Sequence, residues 1–166
     1  TEKDKEKLDR LRKENGIKNM YYTRYFLIRY AVAFFFFVNL YWVLTLILSG
    51  SSAILLLPLI LAGIGAVCMW EQYQMYTREQ KPARLTRYYF LLIIVVNSFL
   101  LLVTLLNQYR YFYPFFAANV TAKWFIVTIL VLGVLISVWM LKKLKAINQK
   151  SDRQYYRIQQ YLASFK

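Results

Sequence analysis

The sequence predicts an all-α, polytopic integral membrane protein with four transmembrane helices arranged as two hairpins and with both termini in the cytoplasm. Three observations predict this fold. The chain of 166 residues is 59% hydrophobic and 19% aromatic, whereas soluble domains are about 45–50% apolar. The apolar residues are concentrated in four long runs. The lysines and arginines lie almost entirely in alternate polar segments, and this bias sets the orientation of membrane proteins.

The polar segments divide the chain into five parts. A run of about 20 apolar residues covers about 30 Å as a helix, which is the thickness of a hydrocarbon core. The predicted parts are a charged arm with an interfacial entry at 1–29, a first hairpin at 30–70, a basic strap at 71–88, a second hairpin at 89–141 with an aromatic outer loop at 107–123, and a basic tail at 142–166. The two halves resemble each other weakly, so a duplication remains an open alternative.

The N-terminal arm is dense in charge, and acids precede bases by four residues, a spacing that supports a helix. We expect a short solvated helix that ends at Gly16, or a frayed tail, and a docking arm for a partner is the alternative. In the C-terminal tail, Ser151 and Gln154 have the spacing of a capping box, which predicts a last short helix.

The distribution of positive charge predicts the topology. Nine Lys and Arg lie in residues 1–29, four in the strap and seven in the tail. This predicts that both termini and the strap are cytoplasmic, and it explains the basic composition without nucleic acid as a partner. Each basic residue near an anionic bilayer contributes about 1 kcal/mol. The candidate contacts with anionic headgroups are Arg78, Lys81, Arg84, Arg87, Lys142 and Lys143.

The outer loop carries six aromatic residues around Pro114. A loop in free water does not need them, so we expect it to lie in the headgroup layer or against a partner protein. Its two cations are the only Lys or Arg on the predicted outer side. The candidate headgroup or partner contacts are Arg110, Tyr111, Tyr113 and Lys123.

Polar and small residues within the spans are candidates for helix contacts. For Asn39, Asn97 and Ser98 we expect hydrogen bonds between helices, worth about 0.6 and at most about 2 kcal/mol each. The alternative is a polar lining for a substrate headgroup. A second set of small residues forms a face that we expect to pack against a helix of this chain or of a copy. This set comprises Ala62, Gly63 and Ala66.

The composition argues against several classes of function. The chain has no histidine and one cysteine, and no acid lies within a predicted span, whereas ion-coupled transporters usually carry intramembrane acids or histidines. No phosphate-binding loop, nucleophile elbow or Cys/His cluster is present in the sequence. Cys68 lies in an apolar run and is expected to act as a small hydrophobic residue. We therefore expect no enzyme activity, no cofactor and no metal.

The sequence favours a small non-enzymatic membrane subunit. We expect its helices and aromatic outer loop to associate with a larger membrane protein, and its basic ends to contact anionic lipid, in the plasma membrane of a bacterium. The alternative is a homo-oligomeric translocator of lipid or of a small molecule.

Overall fold

The computed structural model of the chain describes residues 1–77 and 83–165, is 83% helical and contains no strand within these ranges. Four of its helices are long and apolar enough to cross a membrane, namely α2, α3, α4 and α6. This confirms the predicted all-α fold with four candidate membrane spans. The helices are α1 Glu2–Thr23, α2 Phe26–Leu48, α3 Leu56–Thr77, α4 Arg84–Leu105, α5 Tyr109–Phe112, α6 Val120–Asn148 and α7 Arg153–Ala163.

The N-terminal arm is a longer helix than the sequence predicts. The expected stop at Gly16 is wrong, because α1 continues without interruption to Thr23. A Cβ atom added to Gly16 would lie 3.8 Å from the Tyr161 hydroxyl of α7, so the two helices meet closely here. A glycine inside a helix costs about 1 kcal/mol relative to alanine, and α1 contains Gly16 in its interior and packs against α7.

The start of α7 also differs from the predicted capping box. Asp152, rather than Ser151, is the N-cap, and its carboxylate accepts a hydrogen bond from the backbone of Tyr155. Lys150 adopts a left-handed conformation with φ 56°, which turns the chain between α6 and α7. As a result, α7 begins at Arg153, one residue later than a cap at Ser151 would place it.

The four long helices form a ring. The most extensive contacts are between α2 and α3 and between α4 and α6, and smaller contacts of α3 with α4 and of α2 with α6 close the ring. Two apolar clusters fill it. One contains Tyr25, Phe35, Phe90 and Leu144, and the other contains Trp42, Leu100 and Leu130. The clusters lie towards opposite ends of the ring, since the first holds the beginning of α2 and the second holds its end.

Candidate functional site

Two of the polar clusters between helices lie at one end of the ring, which we call the basic end. Here α2 and α4 begin, and α3 and α6 end. Two buried clusters join these ends: an ion pair between Arg24 and Asp152, and a hydrogen-bonded group of Glu71, Gln72 and Thr86. Both clusters join segments that are far apart in sequence, and sequence analysis identified neither.

Arg24 and Asp152 form a two-point ion pair. Arg24 Nη2 donates to Asp152 Oδ1 at 2.6 Å, and Arg24 Nε donates to Oδ2 at 3.0 Å. The arginine side chain is 2% exposed and the carboxylate 13% exposed. Paired hydrogen bonds of this kind are stronger than single ones and fix the orientation of both groups. The ion pair therefore joins the C-cap residue of α1, Arg24, to the N-cap residue of α7, Asp152.

The same guanidinium also contacts α6. Its Nη2 donates to the carbonyl oxygen of Ile147 at 3.1 Å, in the last turn of α6, where carbonyl groups lack helical partners. The guanidinium carbon lies 5.2 Å from the centroid of the Tyr155 ring. Arg24 thus contacts the ends of three helices, α1, α6 and α7, and fixes the chain termini relative to the membrane-spanning ring.

Glu71 joins α3 to α4. Its carboxylate accepts hydrogen bonds from the backbone amides of Leu85 at 3.3 Å and Thr86 at 3.0 Å, and from the Thr86 hydroxyl at 2.9 Å. Gln72 Nε2 donates to the same hydroxyl at 2.8 Å. The N-cap position of α4 is Ala83, whose side chain has no acceptor. The Glu71 carboxylate of α3 therefore accepts hydrogen bonds from free amide groups in the first turn of α4, where a negative charge is favourable.

Tyr25 lies between the two clusters. Burial raises the pKa of its hydroxyl, the carboxylates of Asp152 and Glu71 act in the same direction, and Arg24 opposes them. Tyr25 is 6% exposed. A buried phenol with a raised pKa therefore lies within the electrostatic influence of both clusters at the basic end.

A basic groove of about 500 Å³ opens between α4 and α6 at the basic end. Arg87, Lys142 and Lys145 line it together with the apolar side chains of Leu91 and Leu141. Cations above an apolar wall match the two parts of an anionic lipid, whose phosphate is charged and whose chains are apolar. The groove therefore contains two of the predicted headgroup contacts, Arg87 and Lys142.

The other predicted headgroup contacts lie elsewhere. Arg84 is exposed at the start of α4, and Lys143 is half-buried and does not line the groove. Arg78 and Lys81 lie outside the residues that the structure describes. Lipid contact by all six residues stays a prediction, and the structure adds Lys145 as a cation that the sequence pattern did not single out.

The outer loop packs on the end of α2. Tyr113 stacks on Trp42 with ring centroids 5.1 Å apart and an interplanar angle of 24°. Trp42 Nε1 donates to the carbonyl oxygen of Phe112 at 3.3 Å, and the buried Tyr109 hydroxyl donates to that of Ala117 at 3.1 Å. Burial raises the pKa of Tyr113. Several aromatic side chains of the loop therefore make their contacts with other residues of this chain.

The remaining predicted loop contacts have different positions. Arg110 and Tyr111 are exposed, so they are accessible to lipid or to a partner. Lys123 Nζ donates to Asn107 Oδ1 at 2.8 Å and to the carbonyl oxygen of Leu105 at 3.3 Å. A cation at the end of α4 interacts favourably with its unpaired carbonyl groups. Lys123 therefore has a structural role in joining α6 to α4.

The predicted polar residues of the spans lie near the middle of the ring. Asn39 is buried, and its Nδ2 donates to the carbonyl oxygen of Phe35 in its own helix at 2.8 Å. Asn97 is half-buried, and its amide nitrogen occupies the space where a Cβ atom of Gly133 would lie. Ser98 is half-buried on the same helix. Asn39 therefore donates a hydrogen bond within its own helix, and Asn97 packs across to α6.

The small residues of α3 do not share one environment. Ala62 is buried, whereas Gly63 and Ala66 are exposed, and a Cβ atom on Gly63 would meet nothing within 4 Å. Gly65 is the glycine of this helix that allows close approach, since its Cβ atom would lie 3.0 Å from the Tyr89 hydroxyl. Contact of Gly63 and Ala66 with another chain stays a prediction.

Two sequence signals point to the residues that were missed. Glu71 directly follows an apolar run, and Asp152 is the single acid of the basic tail. An isolated acid in a basic segment is a candidate for an internal ion pair. A buried carboxylate is costly unless a base pairs with it, and many bases are available in this chain. The sequence does not indicate which base is the partner, since Arg24 is separated from Asp152 by almost the whole chain.

The fold and these contacts define the class of the protein as a multi-pass membrane protein with a polar, mostly basic end and an aromatic loop at the opposite end. No family model matches the chain, and neither a curated protein nor a solved structure shows significant similarity to it.

Proposed function

We propose that the chain is a non-enzymatic subunit of a larger membrane complex in a bacterial plasma membrane, with its helices as two hairpins and with both termini and the strap in the cytoplasm. The charge distribution supports this orientation, because twenty of the 22 Lys and Arg lie in the two terminal segments and the strap. The position of the basic groove at the same end as the Arg24–Asp152 pair is consistent with it.

One observation favours a subunit over a translocator: several polar side chains of the spans donate hydrogen bonds within their own helices. Thr45, Thr104 and Thr128 donate to carbonyl oxygens of their own helices, as Asn39 does. The hydrogens that these groups donate within their helices are not available to replace the hydration of a polar substrate, which a path across the bilayer requires. A supporting role in an assembly does not need such groups.

Two exposed surfaces suit a partner. The first is the outward small-residue face of Gly63 and Ala66, which allows a neighbouring helix to approach closely. The second is the exposed part of the outer loop, with Arg110 and Tyr111. The first would contact a membrane-spanning helix of the partner, and the second its outer surface.

Photo-crosslinking in the native membrane tests the proposed subunit role. A photoreactive amino acid is placed at Gly63, Ala66 or Tyr111, and at Leu135 on the exposed face of α6 as the matched control. We expect one discrete heavier protein adduct from the first three positions and none from Leu135. An adduct of twice the mass of the chain would replace the subunit by the homo-oligomer, and lipid adducts alone at every position would contradict both.

Labelling with a membrane-impermeant maleimide tests the orientation. Cys68 is buried and is first replaced by alanine. We expect cysteines at Gly50 and Tyr111 to react from outside intact cells, and a cysteine at Arg153 to react only after the membrane is opened. Reaction of Gly50 and Arg153 from the same side would contradict the proposed threading.

A further inference from the structure

We propose a selective phospholipid site in a second cavity of the basic end, between the start of α2 and the end of α3. Its ligand is a glycerophospholipid whose headgroup carries a phosphate and, beyond it, a hydrogen-bond donor. The cavity has a volume of about 400 Å³, enough for a headgroup. Its lining includes Tyr22, Phe26, Arg29, Tyr30, Gln72 and Tyr73. This site does not depend on the proposed subunit role.

The first observation is an unpaired buried carbonyl oxygen. Gln72 is 1% exposed, and its Oε1 atom has no hydrogen-bond partner among the described residues. The neighbouring hydrogen bonds explain why. The Thr86 hydroxyl uses its hydrogen for Glu71, so it can only accept from Gln72, and Gln72 must present its amide nitrogen there. The orientation of the amide is therefore fixed, and its oxygen remains available for a donor.

The second observation is an unpaired buried donor. Arg29 Nε is buried and has no partner among the described residues. The rest of the guanidinium is held in place, because Nη2 donates to the carbonyl oxygen of Tyr22 at 2.7 Å and the group lies over the Tyr22 ring, 3.2 Å from its centroid. An unpaired buried polar group costs about 1–3 kcal/mol, and more when it is charged. A phosphate oxygen would pair this donor and neutralise the charge.

The third observation is the position of the cavity. It lies where α2 begins and α3 ends, at the limit of two apolar helices. Its walls include the rings of Phe26 and Tyr30, whose centroids are 4.6 Å apart, and of Tyr73. Tyrosine is enriched at the level of lipid headgroups. A phospholipid in the surrounding leaflet can therefore reach the cavity with its headgroup while its chains stay in the hydrocarbon layer.

These groups distinguish between common headgroups. Phosphatidylethanolamine and phosphatidylglycerol have a phosphate for Arg29 and an ammonium or hydroxyl donor for Gln72. Phosphatidylcholine has the same phosphate and the same net charge as phosphatidylethanolamine, but its quaternary nitrogen has no hydrogen to donate. The basic groove of α4 and α6 offers several exposed cations, so we expect it to respond to net charge instead.

Native mass spectrometry of the full chain, purified in mild detergent, measures the selectivity. The probes are phosphatidylethanolamine, phosphatidylglycerol and phosphatidylcholine with identical acyl chains. We expect the first two to bind at least about fivefold more tightly than phosphatidylcholine, since a hydrogen bond contributes about that factor and one from a charged donor contributes more. If phosphatidylethanolamine and phosphatidylcholine were retained equally, lipid binding would be non-selective and the proposed site would be wrong.

Substitutions assign the selectivity to named residues. We expect Gln72→Met to lower binding of phosphatidylethanolamine to the level of phosphatidylcholine, and Arg29→Gln to weaken all three lipids. The double change Arg87→Gln and Lys142→Gln in the groove is the control, and we expect it to leave the ethanolamine-to-choline ratio unchanged. A preference that survives Gln72→Met, or that is lost in the control, would overturn the assignment.

A cavity-filling variant keeps the test independent of the hydrogen bonds around Gln72. Ala33 is half-buried and lines the cavity, and Ala33→Phe fills the space without removing either unpaired group. We expect it to abolish the selective adduct while the helical circular dichroism signal is retained. A folded Ala33→Phe variant that still prefers phosphatidylethanolamine would show that the lipid binds elsewhere.

Discussion

Glu71 and Thr86 lie near opposite ends of the strap, yet the carboxylate of Glu71 accepts hydrogen bonds from both the backbone amide and the hydroxyl of Thr86, at 3.0 Å and 2.9 Å. The first turn of a helix has unpaired amide groups, and at the start of α4 a residue of α3 satisfies them. The contact therefore fixes the end of one membrane-spanning helix against the start of the next.

Removal of this capping carboxylate should destabilise the chain. We expect Glu71→Ala to lower the free energy of unfolding by about 1–2 kcal/mol, the range for loss of a helix cap, and Glu71→Gln to lower it less because an acceptor remains. Thermal unfolding in detergent, followed by circular dichroism, measures the effect. Glu6→Ala on the exposed face of α1 is the matched control. Equal melting temperatures of Glu71→Ala and Glu6→Ala would contradict the capping role.

Breaking the buried ion pair should have a larger effect. We expect Asp152→Asn or Arg24→Gln to cost about 3–5 kcal/mol, because each leaves one buried charge without its counter-ion. We also expect faster trypsin cleavage after Arg153 and Arg157, since α7 is released from the end of α6. Arg110→Gln, an exposed substitution, serves as the control and should change stability by less than about 0.5 kcal/mol. Unchanged cleavage in Asp152→Asn would refute the joining role of the pair.

Two glycines of α3 should respond to alanine with opposite signs. In Gly65→Ala the new Cβ atom would lie 3.0 Å from the Tyr89 hydroxyl and 3.4 Å from Phe36 Cβ, so we expect destabilisation by about 1–3 kcal/mol. Gly63→Ala meets no atom within 4 Å, and we expect stabilisation of up to about 1 kcal/mol from helix propensity. Melting temperatures of the purified variants measure both changes. The same sign for both would contradict the assigned contacts.

Docking of the outer loop should weaken in strong base. Burial raises the pKa of Tyr113 above that of an unfolded tyrosine, which is about 10. The stabilising effect of the neutral, half-buried phenol is thus complete below pH about 10 and is lost as the pH rises through the folded pKa. We expect the stability difference between the wild type and Tyr113→Phe to change between pH 8 and pH 11. A difference for Tyr113→Phe that stays constant across that range would refute the burial argument.

The order of the main elements could be predicted from the sequence, whereas their exact limits and several roles could not. The four apolar runs predicted four spans, and each is a long helix in the structure. The stop at Gly16 is wrong, since α1 continues through it to Thr23. The capping box at Ser151 failed because a left-handed Lys150 shifts the start of α7. The contact of Lys123 with a headgroup or partner stays a prediction, whereas its hydrogen bond to the end of α4 was not predicted.

The sequence by itself determined which segments are apolar and where positive charge accumulates, because these properties are sums over neighbouring residues. The tertiary structure alone decided that Arg24 pairs with Asp152, that Glu71 caps α4 and that Gln72 keeps an unpaired oxygen. The physical reason is that hydrogen bonds and ion pairs depend on distances of about 3 Å between side chains. Those distances follow from how the helices pack, which a pattern along the chain does not contain.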